Sequence, residues 1–87
     1  MEIGYSRTCG KKFKHLSRTL QQRVLARQKL FIENRHHPLL KDHALTGEFV
    51  GCRSFSITGD VRVIYRTFGT GKTVFLTVGT HHELYGS

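Results

Sequence analysis

The chain changes period partway along its length, and that change restricts its fold more than any other feature. Between residues 9 and 35 apolar side chains recur at spacings of three, four and seven: Phe13, Leu16, Leu20, Val24 and Phe31. From residue 52 onward the recurrence is two, in the runs "CRSFSIT", "VRVIYRTF" and "TVFLTVG". The first spacing makes one apolar stripe on a helix, and the second makes one apolar face on a strand. A chain with helices first and strands afterwards buries both apolar surfaces by packing one layer on the other, which is an α+β arrangement.

The three strand runs are rich in β-branched and aromatic residues. "TGD" at 58–60 and "GTG" at 69–71 join them, and both links are short enough for hairpins, so the sheet is expected to be an antiparallel meander. "MEIGYS" reads as a short first strand. In the helical half Ser17 marks a break. Either Ser17 or Thr19 can cap the second helix, and Thr19 with Gln22 fits a capping box. Leu25 and Ile32 are expected to widen the stripe, and Pro38 closes the region. "PLLKDHALTGEFVG" reads as a loop. The expectation is one domain over 1–87, with two N-terminal helices packed on a small antiparallel sheet.

Alternation fixes the faces of the middle strand. Val61, Val63 and Tyr65 share one face, and Arg62, Ile64 and Arg66 share the other. If helices cover the first, Arg62 lies on the candidate working surface. A meander also brings the start of its second strand to the end of its third. Asp60, Arg62 and His81 are therefore expected at one edge, with His43 on the loop entering the sheet.

Charge points to the partner. Fourteen Lys and Arg face six acids, for a net charge of +8. Eight of the bases precede residue 31, opposed there only by Glu2. A domain this basic attracts polyanions, nucleic acid above all, although a solvated basic face gives the same balance. No stretch approaches the roughly 20 apolar residues that cross a bilayer, and the first residues lack the apolar run of a secretory signal, so a cytoplasmic location is expected. Cys9 and Cys52 are expected to stay reduced there. No C-x-x-C or H-x-x-x-H spacing suggests a metal, and no cofactor is expected.

These residue types suit phosphodiester cleavage. Histidine exchanges protons near neutral pH, and arginine offsets charge building on phosphate. In RNA the 2′-hydroxyl is an internal nucleophile. The candidate RNA contacts are Lys11, Lys12, Lys41, Arg53 and Arg66, of which Arg53 and Arg66 read equally as solvated strand residues. Asp60 also reads as a turn former.

The strings "KDHALTGEFVGCRSFSITGDVRVIYR" and "VGTHHELYG" resemble the RelE/ParE superfamily of bacterial toxins, and most of all its YafQ-like mRNA interferases. The resemblance covers residues 41–86 in letters and the helical half in pattern. It implies the toxin of a type II toxin–antitoxin system, a metal-independent endoribonuclease acting on mRNA at the ribosome, and a cognate antitoxin forming a hetero-oligomer with it. It implies catalytic roles for His43, Asp60, Arg62 and His81, with Tyr85 lining the site. Ser56 departs from the pattern, standing where some relatives carry a histidine. The alternatives are a ParE-like toxin that poisons gyrase, and a basic RNA-binding module with weak catalysis.

Overall fold

The computed structural model describes residues 1–86. The chain opens with β1 (Glu2–Tyr5), α1 (Arg7–His15) and α2 (Arg18–Glu33). The helices part at Ser17, whose hydroxyl accepts from the Leu20 amide at 3.2 Å, so Thr19 lies inside α2 rather than capping it. Gln21 reaches back and donates to the Phe13 carbonyl at 2.9 Å, which also accepts from the Leu16 amide at 3.1 Å, so α2 is tied to the last turn of α1. Val24 and Phe31 are buried, with Phe13, Leu16 and Leu20 packed against the same core. Leu25 and Ile32 do not widen the stripe: they are 55% and 47% exposed. Each follows a buried residue and so is turned about 100° away from it.

The loop predicted over 38–51 is more ordered than expected. It holds 3₁₀ turns at Pro38–Leu40 and Gly47–Phe49, with a two-residue strand, β2 (His43–Ala44), between them. Then come β3 (Arg53–Ser56), β4 (Val61–Phe68), β5 (Lys72–Thr80) and a short helix, α3 (His81–Tyr85). The sheet order is β1-β5-β4-β3-β2. Strands β2 to β5 form the antiparallel meander, and β1 lies parallel beside β5, which makes the sheet mixed. The α+β reading holds, with a parallel edge pair that strand signals could not show.

Both sheet faces are covered. On one, α1 and α2 enclose Phe31, Phe55, Val61, Val63, Tyr65, Phe75 and Val78. Each large side chain fully buried there stabilises the fold by roughly 1.5–3 kcal/mol. Phe31 stacks on Phe55 with centroids 4.8 Å apart and meets Tyr65 edge-on at 4.9 Å. On the other face Cys52, Ile64 and Leu84 form a smaller cluster with Leu45, Phe49, Leu76 and Tyr85 around it. A register shift opposite Ile64 and Tyr65 lets Phe75 and Val78 both point into the main core despite their odd spacing.

Candidate functional site

The site lies on the sheet face opposite the two long helices. Register places it: His43 pairs with Ser54, Ser54 with Ile64, and Arg62 with both Ser56 and Gly79, so these side chains share one face. Arg62 is aimed by its neighbours. Its Nε donates to the Ser54 hydroxyl at 2.9 Å, and Ser54 is fully buried. Its terminal Nη2 points at the Lys41 carbonyl, 3.5 Å away, and lies 3.4 Å from His43 Nδ1. His43 Nδ1 is itself 2.9 Å from the Lys41 carbonyl. A carbonyl can only accept, so this shorter contact assigns the hydrogen to Nδ1; the 3.4 Å approach of Arg62 Nη2, itself a donor, is then no hydrogen bond, and Nε2 is left as the ring's acceptor.

The remaining wall comes from α3. Thr80 caps this helix by accepting from the Glu83 amide at 3.1 Å, while Glu83 Oε1 accepts from the Thr80 amide at 2.8 Å. The bond from the Thr80 amide holds the Glu83 carboxyl below its ordinary range. The helix sets His81 and Tyr85 one turn apart on one side, with ring centroids 4.5 Å apart. Phe49 props Tyr85 edge-on at 5.7 Å. Gly79 makes the close return possible, because a Cβ there would meet Glu83 Oε1 at 3.2 Å and Leu84 at 3.5 Å. The result is a cleft of about 340 Å³ lined by His43, Leu45, Arg62, His81 and Tyr85.

Four of the five candidate site residues, His43, Arg62, His81 and Tyr85, therefore meet in one cleft. Asp60 comes to the same edge but does not line it. It is exposed in the turn between β3 and β4, where its amide donates to Thr58 Oγ1 and its carbonyl accepts from the His81 amide at 3.2 Å. Its position ties that turn to the start of α3 through the backbone. Ser56 is buried and donates to the Thr58 carbonyl at 2.6 Å, so it takes no histidine's place in proton transfer.

The candidate RNA contacts divide. Lys11 is exposed and Lys12 half-buried on α1, and neither lines the cleft. Arg66 is exposed, with its guanidinium 5.5 Å from the Phe68 ring centroid. Lys41 reaches the site through its carbonyl, with its side chain exposed. Arg53 is engaged within the protein: its Nε donates to Asp42 at 2.6 Å, and that bond pushes the guanidinium's pKa up. Arg27 likewise donates to the Leu39 carbonyl at 2.8 Å and the Ser56 carbonyl at 3.2 Å, joining α2 to the sheet.

Sequence reasoning missed Ser54, Leu45 and Asp42. A signal for Ser54 existed in "RSFSIT", where serines alternate with Phe55 and Ile57 and so face the side that the core does not use. Among the described residues no group of three His, Cys, Asp or Glu is placed to hold a metal ion, and Cys9 and Cys52 are buried free thiols.

A model of the YafQ family, bacterial toxins of type II toxin–antitoxin systems, matches residues 1–86. Among solved structures, YafQ from E. coli strain BL21(DE3) superposes with a TM-score of 0.77 at 24% identity, covering 98% of both chains. The E. coli DinJ–YafQ toxin–antitoxin complex gives 0.74 at 26% identity, covering 98% of this chain and 97% of that one. A YoeB/ParE toxin from Agrobacterium tumefaciens gives 0.77 at 20% identity, with 93% and 99% covered. No curated protein sequence matches the chain.

Proposed function

The chain belongs to the YafQ family of type II toxin–antitoxin toxins, and from that premise we propose that it is a metal-independent endoribonuclease that cleaves mRNA on the ribosome. The observation that carries this reading is the Ser54-held Arg62 guanidinium beside two imidazoles and a phenol in one cleft. In the proposed reaction the 2′-oxygen attacks phosphorus and the bond from phosphorus to the 5′-oxygen breaks. One of His43 and His81 takes the 2′-hydroxyl proton, and the other gives a proton to the leaving 5′-oxygen. His43 does its part through Nε2. Each transfer is worth roughly 10²–10⁴-fold. Arg62 offsets the charge that grows on the phosphoryl oxygens, and Tyr85 offers a ring for a base to stack on. The products are a 2′,3′-cyclic phosphate and a 5′-hydroxyl.

A cognate antitoxin is the proposed protein partner, by analogy with DinJ in the complex that this chain resembles. The test is to incubate purified protein with translating ribosomes and to map the mRNA ends. Messages substituted with hydrogen or methoxy at the 2′ position of the cleaved nucleotide are expected to stay intact. Cutting of that substrate would refute the internal nucleophile, and intact unmodified mRNA would turn the reading toward gyrase inhibition.

A further inference from the structure

His43 sits in a strand of two residues at the edge of the sheet, paired on one side only. Such a strand has few bonds to fix it, yet its imidazole must be held to a fraction of an ångström if it is to work on a phosphodiester. What fixes it is the residue before it. Successive side chains in a strand point to opposite faces, so Asp42 turns away from the cleft as His43 turns into it. On the helix side the Asp42 side chain is only 3% exposed, with Oδ1 2.6 Å from Arg53 Nε. Its Oδ2 accepts from the Tyr65 hydroxyl. Tyr65 is fully buried and packs edge-on against Phe31, so one partner is anchored in the main core and the other in β3.

The next residue back completes the device. Lys41 has φ +48°, the one non-glycine residue in the left-handed region among those described. Its carbonyl meets His43 Nδ1 at 2.9 Å and Arg62 Nη2 at 3.5 Å. A lysine holds that conformation only where its surroundings impose it. Asp42, pinned at both oxygens immediately after it, is the group placed to do so.

We propose that Asp42 is the positioning residue of the cleft: by locking to Arg53 and Tyr65 through the sheet, it sets the Lys41 carbonyl that fixes the His43 tautomer and receives Arg62. The inference rests on His43 and Arg62 serving RNA cleavage, but its first readout does not need cleavage. Nitrogen-15 NMR of the histidine rings in the full chain is expected to show neutral His43 as one tautomer, with hydrogen on Nδ1. In Asp42→Ala the ring is expected to become a mixture of both tautomers. The rate of cleavage at saturating RNA is expected to fall roughly 10²-fold, with KM little changed. Asp42→Asn keeps an acceptor for Arg53 and an amide for the Tyr65 oxygen, so it is expected to restore the single tautomer and most of the rate.

A folded Asp42→Ala variant that keeps the wild-type tautomer overturns the proposal. Should that variant fail to fold, Tyr65→Phe decides, because it removes only the hydroxyl and leaves the ring in the core. A partial tautomer mixture is expected there, and an unchanged ring overturns the proposal. If the tautomers shift as described while the wild-type protein cuts no RNA, the endoribonuclease reading fails and the positioning role stands.

Discussion

Ser54→Ala isolates the contribution of one hydroxyl to the aim of Arg62. The serine is fully buried and its Oγ accepts from Arg62 Nε at 2.9 Å, so alanine deletes one acceptor and introduces no clash. A hydrogen bond to a charged group contributes about 1.5–3 kcal/mol when water is excluded. Arg62 is half-exposed in the cleft, and water there can take up part of the lost bond. The expected loss is therefore about 1 kcal/mol. In a domain of this size that lowers the melting temperature by roughly 4–8 °C. Function should suffer more than stability. Losing a donor aimed at developing charge costs about 10²–10³-fold, and here the donor remains but loses its direction. A fall of roughly 10–10²-fold in the cleavage rate follows. The assays are thermal melts by circular dichroism and cleavage of a defined mRNA. A variant with reduced melting temperature but full cleavage would show the bond to be structural only. Wild-type values in both assays would refute the claim that Ser54 holds Arg62.

His43→Ala and His81→Ala are expected to abolish toxicity and leave the fold and antitoxin binding intact, since both side chains are exposed. Growth assays, circular dichroism and a pull-down check this, and an unfolded variant would make that histidine structural. Burial pushes the Cys9 thiol up to about 11 from 9.0, against the opposing pull of Lys12. The folded state therefore favours the neutral thiol. Its contribution to stability is whole below about 9 and is lost as pH rises through about 11. Urea unfolding across that window should show a decline that Cys9→Ala makes shallower. Cleavage is expected to survive EDTA, and loss of activity restored by zinc or magnesium would recast the histidines as ligands. Binding to RNA should weaken with salt, at a slope of about −0.7 per phosphate neutralised on a single strand, and a flat titration would remove the electrostatic argument.

The period of the sequence carried most of the fold. The stripe from Phe13 to Phe31, the break at Ser17 and the three strands β3, β4 and β5 were legible because burial on one side imposes 3.6 or two residues per repeat. β2 was not, because two residues set no period. The parallel partner of β1 was not, because a short edge strand does not encode which neighbour it will meet. In the site, hairpin topology brought Asp60, Arg62 and His81 to one edge with His43 on the loop entering the sheet, and the resemblance gave His43 and Tyr85 their expected roles. Arg53 read as a candidate RNA contact because its pairing with Asp42 crosses 11 residues and two strands. The positioning groups stayed hidden for a related reason: a buried serine and a carbonyl have no composition of their own.

The parallel pairing of β1 with β5 also sets an order of events in time. Ser6 donates to the Leu76 carbonyl across 70 residues of chain. Closing so long a loop comes before any contact that rewards it, which slows folding relative to a helical domain of the same length. During synthesis β1, α1 and α2 emerge before the sheet that covers their apolar stripe exists. The cleft draws its side chains from residues 43 to 85, so it exists only once α3 has left the ribosome. A nascent chain that has released both helices but not the strands is basic, leaves its apolar stripe uncovered and has no cleft. The interval before the cleft closes is a time in which a waiting partner can seize the chain.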